Sequence, residues 1–175
     1  LACPGDASLG EALALALERG DPGAMERSPR PPEQPVLTAG IAWVAVVRGI
    51  TEGAGALVVF VIWLKGFDSS EETARSVALA AIVVCELLEA HGSRSLYRTI
   101  VDLGMFGNPA LWGATLVSFC AVLAVLYVPP LQDAFHVDAL GPGEWAAAAA
   151  VGVFSLLVIE GLKVGPWRLR PEGQP

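Results

Sequence analysis

An all-α, integral membrane helical bundle with four transmembrane helices is the fold this sequence predicts, and three observations predict it. Residues 111–128 (LWGATLVSFCAVLAVLYV) run for eighteen residues without a charge, with Asn108-Pro109 before them and Pro129-Pro130 after. At about 1.5 Å of rise per residue, a helix of that length covers roughly the 30 Å hydrocarbon core of a bilayer. Hydrophobic residues make up 54% of the 175-residue chain and the mean hydropathy is +0.56, a membrane composition. Three further apolar segments, at about 39–64, 74–90 and 145–164, complete a set of four. An even number of spans places both chain ends on one side.

The segment 1–36 lacks a span of its own. Residues 9–19 (LGEALALALER) have high helix propensity but are too few to cross a bilayer. Residues 20–35 (GDPGAMERSPRPPEQP) follow as a Pro-rich connection, because proline lacks an amide donor and glycine favours turns. The division is thus 1–36, a preceding helix and linker, and 37–175, the membrane domain.

In the first span Arg48 is positioned to snorkel towards headgroups. The small residues Gly49, Gly53, Gly55 and Ala56 contain a GxxxG spacing, where another helix backbone can approach closely. Glu52 lies among them and is expected to pack beside an absent helix or face a water-filled groove rather than coordinate an ion. The short connection around 65–72 makes an antiparallel hairpin, and Ser70 offers an N-cap to the second helix, with Glu71 and Glu72 in its first turn. That helix carries Glu86, and one turn later Glu89, expected to be solvated or capping near the membrane boundary. Thr115 and Ser118 on the third span are expected to hydrogen-bond their own helix. The loop from Pro129 to Gly143 leads into a helix with the run Ala146 to Ala150. Trp145 and Trp167 are its interface anchors, and Glu160 and Lys163 form an i, i+3 pair near its end.

Charge is distributed unevenly along the chain. Eleven Lys and Arg against eighteen Asp and Glu leave a net charge of −7. Most cations, including Arg19, Arg27, Arg30, Arg48, Arg94, Arg98, Lys163, Arg168 and Arg170, fall on the side of the termini. By the positive-inside rule both termini are cytoplasmic, with the plasma (inner) membrane as the expected location. Nothing resembles a nucleic-acid footprint. Cys3, Cys85 and Cys120 have no metal-ligand spacing and imply no disulfide. His91 is placed to cap carbonyls at a helix end, and no catalytic triad or phosphate-binding glycine loop is found. The first residues show no basic region followed by an apolar run, so a signal peptide is not expected. A chain that starts with Leu is expected to be a fragment.

Several local sequences resemble, in order, the C-terminal part of type II P-type cation-transporting ATPases, the calcium-pump group. Ala12-Leu13-Ala14-Leu15, Asp21-Pro22, Met25, Pro29-Arg30 and Pro31-Pro32-Glu33-Gln34-Pro35 are similar to the family's sixth-helix end and the loop that follows. Arg94-Ser95-Leu96 and Gly104-Met105-Phe106-Gly107-Asn108 resemble the segment between helices eight and nine. Tyr127-Val128-Pro129-Pro130-Leu131, Phe135, Leu140 and Trp145 resemble the loop before helix ten, and Glu160-x-x-Lys163 that helix's end.

The resemblance implies that the four spans are helices seven to ten of a ten-helix pump. Its implied partners are the lipid bilayer and the missing N-terminal part of that pump, helices one to six and the cytoplasmic domains, with no nucleic acid. It implies Ca²⁺ or another cation as transported ion, and no cofactor held by this chain. The family's ions bind between helices four, five, six and eight, which makes Glu86 the candidate cation ligand. An intramembrane carboxylate is costly and by default functional, and its hard oxygens suit Ca²⁺. The phosphorylation loop, the nucleotide-binding region and the helix-six ligand motif are not in this sequence, so ATP hydrolysis by this chain alone is not expected. The alternative is a freestanding four-helix membrane protein that scaffolds or regulates a partner. A passive channel is disfavoured, since the spans lack a recurring polar stripe.

Overall fold

A computed structural model describes residues 39–95, 99–104 and 106–164, and in them every regular element is helical. The expected helix and linker of residues 1–36, together with Cys3 and Trp167, lie outside the described residues.

Helix α1 (Ala39–Val61) ends in a π-helical turn, Ile62–Gly66, closed by the Phe67 amide donating to the Ile62 carbonyl at 3.1 Å. A short turn through Asp68, at φ 52°, leads into α2 (Glu71–Gly92). Ser70 caps it as its sequence position predicts: the hydroxyl accepts from the Thr73 amide at 3.0 Å. Thr99 and Asp102 then form a reciprocal capping box on the single turn α3 (Ile100–Leu103). Asn108 accepts from the Leu111 amide and Pro109 opens α4 (Pro109–Tyr127). The proline pair after α4 starts a further short helix, α5 (Pro129–Phe135), where the sequence reading had only a loop. His136, at φ 52°, ends it, and α6 (Pro142–Val164) completes the bundle.

Helix α2 is the centre: it packs against α6, α1 and α4, and α1 also touches α6. Its buried residues run all round it, from Ala74 and Val77 to Cys85 and Leu87, as a helix surrounded by others requires. On α6 the buried set is Ala148, Gly152, Ser155 and Ile159, spaced four, three and four apart, so one stripe faces inward. At Gly152 the two helices come close together. A Cβ there would meet Val84 Cγ1 at 2.6 Å and the Val84 carbonyl carbon at 3.3 Å.

Three helices are long and apolar enough to cross a membrane: Ala39–Gly66 with 28 residues, Pro109–Tyr127 with 19 and Pro142–Val164 with 23. Their outward faces carry Trp43, Ile50, Leu57, Val117, Phe154 and Leu157, all exposed. Helix α2 has 22 residues and is about 33 Å long, but Glu71, Glu72, Arg75, Glu86 and Glu89 make it the most polar of the four long helices. So the apolar criterion reaches three of the four expected spans.

Polar contacts gather at both ends of the bundle. At the α2 N-terminus, Ser70 and Thr73 donate to Asp138 Oδ2, Trp63 Nε1 donates to Glu144, and Trp145 Nε1 donates to Tyr127. Tyr127 in turn donates to the Leu140 carbonyl at 2.6 Å. These bonds tie the α1–α2 hairpin to the α5–α6 connection. The opposite end holds the carboxylates.

Candidate cation-site carboxylates

Helical spacing puts Arg48 and Glu52 on one face of α1, four residues apart, and Glu86 and Glu89 on one face of α2, three apart. The antiparallel hairpin brings the two faces together. Arg48 Nη2 lies 3.3 Å from Glu86 Oε2, and Arg48 Nη1 donates to Ser93 Oγ at 3.3 Å. Arg48 Nε is against Glu89 Oε2. That last contact is an ion pair rather than an aligned hydrogen bond, and Oε2 has no hydrogen-bond partner among the described residues. Glu52, half-buried, lies within electrostatic reach of Glu86, Glu89 and Arg48. Two carboxylates therefore contact one guanidinium, and a third lies within its electrostatic reach.

The two α2 carboxylates differ sharply. Glu86, the candidate read from the sequence, has a side chain 51% exposed. Glu89 is 2% exposed, and its Oε1 accepts the Ser155 hydroxyl from α6. The expectation that Glu89 is solvated or capping is therefore corrected. The small stripe of α6 brings that helix close enough to cover Glu89 and supply a donor, and buried charge persists only when paired and hydrogen-bonded. Arg48 is likewise corrected: it turns inward to the carboxylates instead of out to headgroups. An apolar cleft of about 180 Å³ opens beside the pair, walled by Ile41, Val44, Leu156 and Leu162, with Lys163 at its rim.

Neighbouring groups close the helix ends around this cluster. Lys163 Nζ donates to the Gly92 carbonyl and pairs with Glu160, each at 2.6 Å, so the expected i, i+3 pair is present. Glu160 Oε2 also accepts from the Ile100 amide at 2.9 Å. His91 Nδ1 donates to the Leu87 carbonyl at 3.0 Å, and its ring lies 4.6 Å from Trp112. Thr115 Oγ1, expected to bond its own helix, has no partner among the described residues. Gly49 and Gly53, the GxxxG pair, meet nothing within 4 Å, whereas Gly55 abuts Val151. The close approach is displaced from the motif. Cys85 and Cys120 are free thiols.

Among the described residues, no three His, Cys, Asp or Glu side chains converge as a metal site. Ser155 was missed by the sequence reading; its one signal was its place on the small-residue stripe of α6.

Known proteins give this geometry a context. The family described as "Cation transporting ATPase, C-terminus" matches residues 8–165. The chain belongs to that family. It is the C-terminal membrane domain of a P-type cation-transporting ATPase, as the motif order implies. A calcium-transporting ATPase of Bacillus subtilis is 29% identical over 150 residues, which is 86% of this chain and 17% of the relative. One from Listeria monocytogenes is 26% identical over 154 residues, and one from Lactococcus lactis 28% over 154, each match covering 87% of this chain and 17% of the relative. The chain thus spans about one sixth of the length of these relatives.

Proposed function

We propose that this cation-transporting ATPase C-terminal domain supplies helices seven to ten of an ATP-driven calcium pump, and that Glu86 is one oxygen ligand of the transported ion. The observation that carries the reading is the charge imbalance at the α1–α2 interface, where, among the described residues, Arg48 contacts both Glu86 and Glu89 and Glu52 lies within electrostatic reach of all three. Glu86 is the exposed member, on a side with room for further ligands. Calcium takes six to eight oxygens, so the remaining ligands come from the N-terminal helices of the pump, its partner along with lipid. The names of the relatives support calcium as the ion.

In this reading α2 is also a span, the second in chain order, which brings the total to four. Its one buried carboxylate, Glu89, is tolerated because Arg48 pairs with it and Ser155 donates to it inside the bundle. Residues 1–36 form the preceding helix and the cytoplasmic linker. Both termini face the cytoplasm across the plasma (inner) membrane, a sidedness supported by the Lys and Arg distribution. The reaction belongs to the whole pump, in which phosphorylation drives alternating exposure of the ion site.

The test is ATP-driven ⁴⁵Ca²⁺ uptake by proteoliposomes of the full-length protein carrying this sequence. Glu86→Gln should lower the apparent calcium affinity at least about tenfold, the loss of one charged ligand. Unchanged affinity removes Glu86 from the site.

A further inference from the structure

Arg48 is placed unlike an ordinary interfacial arginine. One guanidinium touches both α2 carboxylates, through Nη2 to Glu86 and Nε to Glu89, and reaches Ser93 with Nη1. Its two acidic contacts are unequal. Glu89 is fully buried and also held by Ser155 of α6, so it anchors Arg48 between three helices. Glu86 is half exposed and held to Arg48 by a single 3.3 Å contact.

We propose that Arg48 is a tethered counter-cation of the ion site. Glu89 holds it in place, and it occupies the Glu86 carboxylate whenever that carboxylate is not bound to a transported cation. The inference rests on Glu86 being a ligand. A cation arriving at Glu86 must draw the carboxylate away from a guanidinium that cannot leave, because Glu89 and Ser93 retain it. Arg48 therefore lowers cation affinity and discourages an idle, unpaired carboxylate between transport cycles. It is a positioning residue and does not touch the ion. Arginine suits this role better than lysine, since its planar fork presents several donors and reaches two acids at once.

The attraction between Arg48 and Glu86 at 3.3 Å competes directly with an arriving cation, and a contact between opposite charges is worth about a tenfold change in affinity or more. The experiment measures equilibrium ⁴⁵Ca²⁺ binding to the full-length protein in detergent, with thermal stability read alongside. Arg48→Gln combined with Glu89→Gln removes the tether and its anchor together, leaving no buried unpaired charge. Affinity should rise about tenfold or more, and adding Glu86→Gln should abolish the gain. Arg48→Lys keeps the charge while losing the fork, so a several-fold rise is expected; it decides the matter if the double variant does not fold. Wild-type affinity in the folded Arg48 variants, with Glu86→Gln impaired, overturns the counter-cation role alone. Wild-type affinity in Glu86→Gln itself overturns the ligand reading beneath it.

Discussion

Ser155 donates its hydroxyl to a carboxylate that no water reaches, and the rest of α6 near it is apolar. Removing a donor from a buried charged acceptor costs about 1–3 kcal/mol. Ser155→Ala should therefore lower the thermal unfolding temperature of the full-length protein in detergent, while Ser69→Ala, in the hairpin turn, should leave it in place. Glu89 itself could not be placed from the sequence. Its position three residues from the end of α2 reads as a boundary site, and nothing local announces that a hydroxyl 66 residues later covers it. Glu160 and Lys163 lie within one turn of each other, so their pairing was legible directly.

Each long helix was visible in outline because apolar runs and caps are local. Ser70, Asn108 and Pro109 mark helix starts by their own chemistry, and the structure uses all three there. Asn108→Ala should cost about 1 kcal/mol through loss of the α4 cap, measured by the same thermal assay. Packing partners are a different matter. The GxxxG glycines of α1 point to open space, and the close approach of α2 and α6 is at Gly152, an isolated glycine after an alanine run. Gly152→Val should push α6 off Val84 and cost about 1–3 kcal/mol by overpacking. Gly161→Ala, where a Cβ meets nothing, should be neutral or slightly stabilising by helix propensity. Equal effects from the two would refute the notch between α2 and α6.

Taken whole, the bundle buries α2 and leaves large apolar faces on α1, α4 and α6 outward, which water would not support. Under the proposed function, lipid and the N-terminal helices of the pump cover them. Gly49 and Gly53 offer a smooth strip on that outward side, beside Glu52 and the exposed Glu86. Gly53→Leu should accordingly impair transport by the full-length protein more than Gly161→Leu does, since a pump helix is expected to seat there. Sidedness has its own measurement. Single cysteines introduced at Phe67 and at Ser93, in the cysteine-free background, should be labelled by an impermeant thiol reagent from opposite faces of sealed vesicles. Labelling from one face would remove α2 as a span.

The sequence by itself determined an all-helical membrane domain, the approximate extents of its long helices, the Ser70 cap that starts one of them and the family order of its motifs. Each of these depends on periodicity, hydropathy and residues a few positions apart. Only the tertiary structure decided that Glu89 is buried, that Arg48 turns inward to join it to Glu86, and that α2 lies at the centre. Those outcomes depend on which faces meet, and a carboxylate's environment is set by donors contributed from other helices, which no local pattern records.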